Sequence, residues 1–310
     1  MARAEEQRRN GRAIALMNGL RLPFLTGSVL PVWAAAALVS LDHRVDPVDL
    51  TLATLAVAAL HLASNLVNDA ADSDNTDRIN RFRTPYSGGS GVLLDGTLTR
   101  AGLWAIVVVL VGIAIGAGIG LTLRGRPLVW LLGMAGGLLG LGYSASGARL
   151  MSRGLGELAI FVSFGPLLTL ASGYVLTGRF DPRQLALGTL PGFLITAVLW
   201  INQFPDRDAD AAVGKRNLVV RMSPGSARLV YAALMFGPFV AAAACVAGHV
   251  LPVATLAIVP ALPIAGRAVW QLRRAAGEPG AVLPVQVLTI LSHSALTALL
   301  VVGLALLGHA

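Results

Sequence analysis

The stretch Asn65-Leu66-Val67-Asn68-Asp69-Ala70-Ala71-Asp72 ends a long apolar run with two carboxamides and two carboxylates. A second run ends the same way in Asn202-Gln203-Phe204-Pro205-Asp206-Arg207-Asp208-Ala209-Asp210. Acids are scarce in this chain: of 16 Asp and Glu, seven fall in two windows, Asp69, Asp72, Asp74 and Asp77, then Asp206, Asp208 and Asp210. Residues three and four apart share a helix face, so Asn65, Asp69 and Asp72 lie within about 60° of one another, and Asn202, Asp206 and Asp210 within about 80°. A carboxylate at a bilayer centre costs about 2.5–3.5 kcal/mol even on the lenient insertion scale. These groups must therefore face a protein cavity or the water interface, and their mutual repulsion calls for a cation. Asp74 and Asp77 leave the first face if the helix continues, and rejoin it only if the loop folds back. Asp208 falls across the helix from the second face. Pro205 withholds a backbone donor just before Asp206.

Everything around these windows reads as membrane. The chain has 310 residues, 55% hydrophobic and 13% charged, with a mean hydropathy of +0.71. Soluble domains carry about 25% charged residues, so a soluble enzyme, a disordered tail and a disulfide-stapled secreted domain are excluded. The single cysteine, Cys245, has no partner within the chain. Apolar runs predict nine crossings, at 22–41, 48–66, 101–123, 127–148, 155–177, 184–204, 227–248, 250–269 and 283–307. A cleaved signal peptide is the alternative for the first run, but the run is long for one and Pro31 interrupts it. With the N-terminus in the cytoplasm, 19 of the 24 basic residues fall on inner loops and only Arg44, Arg124, Arg126, Arg179 and Arg183 on outer ones. This asymmetry accounts for the net charge of +8 without nucleic acid. The expected organisation is a basic cytoplasmic segment over 1–21 and a single transmembrane domain over 22–310. The C-terminus lies outside, in a plasma (inner) membrane.

The two acidic faces lie four spans apart, as two four-helix pseudo-repeats would place them across a central cavity under cytoplasmic cap loops. Oxygen ligands of this kind favour Mg²⁺, Ca²⁺ or Mn²⁺ over zinc, and Mg²⁺ commonly takes one or two carboxylates and completes its shell with phosphate and water. Basic residues follow each window: Arg78, Arg81 and Arg83 after the first, Lys215, Arg216 and Arg221 after the second. Lys215 is the only lysine in the chain, which suits a point-charge contact to phosphate. A solvated loop obeying the positive-inside rule explains the arginines equally well.

The motifs resemble the UbiA superfamily of intramembrane prenyltransferases. Asn65 to Asp72, running on to Asp77-Arg78, is similar to the family's NDxxD-type motif, and Asp206 to Asp210 with Gly214-Lys215 to its DxxxD…GK motif. Arg83-Thr-Pro-Tyr-Ser-Gly-Gly-Ser90, Tyr143-Ser-Ala-Ser and Arg153-Gly-Leu-Gly-Glu157 add to the likeness, which is greatest toward the branch that prenylates 1,4-dihydroxy-2-naphthoate on the way to menaquinone. The resemblance implies Mg²⁺ held by Asp69, Asp72, Asp206 and Asp210, with Asn65, Asn68 and Asn202 in support. It implies a polyprenyl diphosphate donor, an aromatic quinone-precursor acceptor, and transfer through an allylic carbocation in a water-poor cavity within the lipid bilayer. Candidate substrate contacts are Lys215, Arg78, Arg83, Arg21, Tyr143 and Arg149; for Arg21, at the start of the first span, snorkelling to headgroups is the ordinary role.

Other polar residues have ordinary roles to weigh. His61 lies one turn before Asn65 and is either an acceptor-pocket group or a buried, hydrogen-bonded histidine. Glu157 suits a helix start, His293 an interhelical hydrogen bond, and the stripe Gly112, Gly116, Gly120 close helix packing. A cation-coupled transporter is the rival outside enzymes. Within the superfamily the rivals are other acceptors (4-hydroxybenzoate, homogentisate, a glyceryl phosphate lipid) or intramolecular terpene cyclisation.

Overall fold

The computed structural model describes residues 19–74, 76–144, 150–275 and 279–307. Among them there is no β-strand. Ten helices build the body: α1 (Thr26–Val39), α2 (Pro47–Asp72), α3 (Arg100–Leu123), α4 (Val129–Ser144), α5 (Gly156–Phe164), α6 (Pro166–Thr177), α7 (Pro182–Ala212), α8 (Pro224–Ala247), α9 (Leu262–Arg274) and α10 (Leu283–Leu307). A 3₁₀ turn, Leu22–Leu25, leads into α1, and a 3₁₀ segment, Val253–Ala261, leads into α9. In the second segment Pro260 supplies no backbone donor.

Eight spans in the described residues are long and apolar enough to cross a bilayer, including the joined pieces Leu22–Val39, Gly156–Thr177 and Val253–Arg274. The expected nine differ at the fourth run, where α4 has only 16 residues, about 24 Å at 1.5 Å per residue against a hydrocarbon core of about 30 Å. Residues 145–148 of that run lie outside the described residues. The fifth run is one span in two pieces. Gly165 ends α5, and Pro166 begins α6 without a backbone N–H. This break lets α5/α6 press against α7. A Cβ on Gly165 would sit 2.6 Å from the Gly188 carbonyl and 2.9 Å from the Gly192 Cα. Small residues at such crossings let membrane helices approach closely.

The acid-bearing helices, α2 and α7, share a start as well as an end. Asp46 caps α2 by accepting from Val48 N at 2.8 Å, and Asp181 caps α7 by accepting from Arg183 N at 2.8 Å; each is followed by proline at the first helical position. Both helices also run further than the apolar runs that announce them. α2 continues to Asp72, and α7 passes through Pro191 and Pro205 to Ala212. The carboxylates therefore ride on the last turns of rigid helices.

α7 is the hub, packed against α1, α5, α6, α8 and α10. Its most apolar window is 72% buried, against 22% for α8, so α8 faces lipid while α7 does not. The largest core cluster gathers Leu187, Leu190, Leu194, Trp200 and Ile201 of α7 with Tyr231 and Met235 of α8 and Leu296 and Leu300 of α10. Trp200 Nε1 donates to the Ala227 carbonyl at 2.9 Å, and the Tyr231 and Thr289 hydroxyls share a 2.7 Å bond. Outside, Val108, Val109, Leu138, Leu229 and Val240 stand exposed, as side chains that meet acyl chains do. Gly112 and Gly116 lie on that outer face too, and a Cβ on either would meet no described atom, so close packing does not account for them. Gly120 alone of that stripe meets a neighbour, Leu52 at 3.2 Å.

The end opposite the acids is tied by ion pairs. Arg124 bridges Asp46 and the buried Asp49, and Arg183 bridges Asp42 and Asp181. These are residues assigned to outer loops by the charge count.

Candidate active site

The last turns of α2 and α7 converge at one end of the bundle, and one lysine joins them. Lys215 Nζ lies 2.6 Å from Asp72 Oδ1, 2.8 Å from Thr76 Oγ1 and 3.9 Å from Asp210 Oδ1. Gly214, in the left-handed region at φ 76°, makes the turn that brings it back, and the Lys215 amide closes on the Asp210 carbonyl at 2.8 Å. Asp210 is buried and its Oδ2 accepts from Asn217 Nδ2 at 2.8 Å.

The loop after α2 folds back over both helices. Asn80 Nδ2 donates to Asp206 Oδ1 at 2.6 Å and the Gly88 amide to Asp206 Oδ2 at 3.3 Å. The Ser90 amide donates to Asp69 Oδ1 at 3.2 Å, and the Ser90 hydroxyl to Asp69 Oδ2. Gly88, Gly89 and Gly91 carry φ of 73°, 74° and 84°, values that suit glycine. At Gly89 the need is double, because a Cβ would overlap the Asp77 carboxylate. The condition set for Asp77 is therefore met. It is buried at 6% exposure beside the first cluster. Burial, then the charges of Asp72 and Asp69, push its pKa up to about 6. Asp74 instead stands exposed and pairs with Arg100, and Asp208 is exposed.

Arg21 corrects the snorkelling expectation. Its guanidinium turns inward and pairs with Asp69 at 2.6 Å. Burial lowers its pKa, but the charge and hydrogen bond of Asp69 together with the charges of Asp77 and Asp206 outweigh it, and the net shift is upward. Asn65 Nδ2 holds the Leu20 carbonyl at 3.1 Å, which ties this segment to α2. Asn202 accepts from Gln286 of α10 at 3.0 Å, so its described bond reaches a neighbouring helix and not the acid cluster. Asn68 is half-buried on the acidic face, and Arg78 is exposed. Arg83 braces the loop, donating to the Gly89 carbonyl at 3.4 Å and packing beside Gly91. Arg149 and the side chain of Tyr143 lie outside the described residues. Glu157 is more than a helix-start acid. Buried at 4% exposure, it accepts from Gln203 Nε2 at 3.0 Å and the Leu218 amide at 3.1 Å, locking α5 to α7 and the segment that follows.

Sequence reasoning missed Asn80, Thr76, Ser90 and Asn217. All are neutral, and only Thr76 and Ser90 lay in stretches already singled out.

These residues suit a hard divalent cation by the chemistry of their donors, which are all oxygen. Among the described residues no three acidic, histidine or cysteine side chains stand close enough to enclose an ion by themselves. Sites completed by substrate phosphate need only one or two carboxylates. The cations that hold these carboxylates are Arg21, on Asp69, and Lys215, on Asp72.

A bundle of membrane-length helices with two carboxylate-bearing helix ends, cations and a glycine-rich cap at one face defines an intramembrane enzyme. The chain belongs to the UbiA prenyltransferase family, whose pattern matches residues 28–284, and it is a prenyltransferase. It is 30% identical over 234 residues to the 1,4-dihydroxy-2-naphthoate octaprenyltransferase of Escherichia coli (strain K12), covering 74% of this chain and 75% of that one. It is 27% identical over 249 residues to the 2-carboxy-1,4-naphthoquinone phytyltransferase of Synechocystis, covering 79% and 78%. Among solved structures, a UbiA homologue from Aeropyrum pernix superposes with a TM-score of 0.66 at 18% identity over 89% of this chain and 97% of that one. One from Archaeoglobus fulgidus, bound to GPP and Mg²⁺, superposes at 0.59 and 13% identity over 92% and 99%. At those identities the two structures speak for the fold.

Proposed function

We propose that this enzyme transfers a polyprenyl group from its allylic diphosphate to 1,4-dihydroxy-2-naphthoate, releasing diphosphate and carbon dioxide in menaquinone synthesis. The observation that carries the reading is Lys215, one ammonium set between Asp72 of α2 and Asp210 of α7. The names of the curated relatives support the acceptor.

Asp69, Asp72, Asp206 and Asp210 would hold Mg²⁺, which when bound offsets the charge that develops on the leaving diphosphate. Asp77, buried like Asp69 and Asp210, adds negative charge that a divalent cation offsets. Lys215 and Arg21 orient the phosphates, and the loop amides of Gly88 and Ser90 keep Asp206 and Asp69 aimed. The prenyl C–O bond breaks, its electron pair leaves with the diphosphate, and the allylic cation is attacked by the ring carbon that bears the carboxylate. Loss of carbon dioxide from that carbon restores the aromatic ring. Apolar helix faces around the reacting carbons exclude the water that would otherwise capture the cation.

In the full assembly α4 serves as a ninth crossing, and two four-helix halves, headed by the matching Asp-Pro starts of α2 and α7, surround a central cavity. The protein sits in the plasma membrane with its N-terminus and acidic end in the cytoplasm.

The test is a product assay on purified protein with a labelled polyprenyl diphosphate, Mg²⁺, and dihydroxynaphthoate, 4-hydroxybenzoate, homogentisate or no acceptor. A labelled prenyl naphthoquinol, formed with release of carbon dioxide from the acceptor, supports the proposal. Product from another acceptor, or a cyclised hydrocarbon with none, overturns the acceptor and keeps the acid cluster.

A further inference from the structure

His61 is the buried polar group of α2 that the described contacts leave unexplained. It is 8% exposed, and neither ring nitrogen has a hydrogen-bond partner among the described residues. No described neighbour satisfies it as the core of a protein ordinarily satisfies a buried histidine. A neutral imidazole has one donor and one acceptor to offer. An orphan of this kind is costly to bury, and a ligand that hydrogen-bonds to it recovers the cost.

Its position says which ligand. His61, Asn65, Asn68 and Asp72 fall on one face of α2. Asn65, Asn68 and Asp72 are half-exposed along that face, and His61 closes its deep end. It lies eight residues before Asp69, about 12 Å down the helix axis. A diphosphate at the acids, its first prenyl carbon and one aromatic ring laid end to end would fill that distance. The ring of Phe164 meets His61 edge-on, with centroids 5.5 Å apart and planes at 82°, a contact that restrains the imidazole. Phe164 is the last residue of α5, where Pro166 leaves the Val162 carbonyl without its usual helical donor. The deep end of the face is thus apolar and aromatic, with one oriented donor–acceptor pair.

We propose that His61 binds a ring hydroxyl of the aromatic acceptor and so holds the ring against the first carbon of the prenyl donor. This rests on the acceptor class proposed above and assigns the residue that recognises it.

The test uses the full-length protein in detergent with Mg²⁺ and measures KM for each substrate with the other saturating. His61→Leu is expected to raise the dihydroxynaphthoate KM about tenfold, as loss of a buried hydrogen bond does, with the KM for the prenyl diphosphate and the melting temperature unchanged. His61→Gln, which keeps a donor and an acceptor, is expected to stay within about threefold of wild type by the same reasoning. Monohydroxy naphthoates complete the test. Removing the hydroxyl that His61 binds should weaken the wild-type acceptor KM about tenfold and leave His61→Leu no worse. An unchanged acceptor KM in His61→Leu overturns the proposal. So does an equal rise for both substrates, or an analogue penalty as large in the variant as in wild type. If His61→Leu does not fold, the analogues on wild type and His61→Gln decide: a penalty for neither missing hydroxyl overturns it. Wild-type protein that turns over no aromatic acceptor would instead sink the acceptor reading, a result visible before any variant is made.

Discussion

At the scale of single residues, the site is a balance of charge held in reserve. Arg21 and Lys215 neutralise Asp69 and Asp72, two of the carboxylates proposed to hold a cation, so on that proposal each pair has two uses. Asp69→Asn and Asp206→Asn remove a ligand charge while keeping the shape that accepts from Ser90 and from Asn80. Turnover should fall on the order of a hundredfold or more in protein that still elutes as a single folded species. Full activity in either variant would strike that residue from the ligand set. Lys215→Ala also removes the link between α2 and α7 ends. Its prenyl diphosphate KM should rise about tenfold or more, since a charge-assisted bond is lost, with little change in the acceptor KM; an unchanged donor KM returns Lys215 to a solvated loop.

At the scale of elements, the decisive features are helix ends and one helix break. Gly188 of α7 faces Gly165 and Thr169, and a Cβ there would lie 2.6 Å from the Gly165 carbonyl. Gly188→Val should therefore cost about 1–3 kcal/mol by overpacking, seen as a lowered melting temperature in detergent, whereas Gly116→Val on the open outer face should leave the melt unchanged. A variant pair that melts together would refute the close approach. The sequence shows the acids, the faces they share and the spans that carry them, because period and charge are local properties. It does not show that α2 and α7 outrun their apolar stretches, since a helix end that packs on protein needs no hydrophobicity. Nor does it show Asn80, Ser90 and Asn217, whose roles depend on a loop returning to its own helix. Arg21 looks like a headgroup anchor from its neighbours in sequence. Only the αL turn before α1, at φ 51°, and the proximity of Asp69 make it part of the site.

At the scale of the whole molecule, the two ends differ in kind: ion pairs knit one end, while the other gathers acids under a loop. In right-side-out vesicles of a Cys245→Ser background, an impermeant maleimide should label Arg44→Cys at once and Arg216→Cys only after permeabilisation. The opposite order would invert the orientation. The 31 residues of α7 measure about 46 Å, against a hydrocarbon core of about 30 Å, so the turns that carry Asp206 and Asp210 reach past the oil into the headgroup layer. A donor with a water-seeking head and an oil-seeking tail is thus met at the boundary between two phases and arrives by lateral diffusion in a sheet. Its effective concentration is a mole fraction in lipid or micelle, not a molarity. Adding inert detergent at constant total donor should slow the enzyme by surface dilution, while the rate stays constant when donor and detergent rise together.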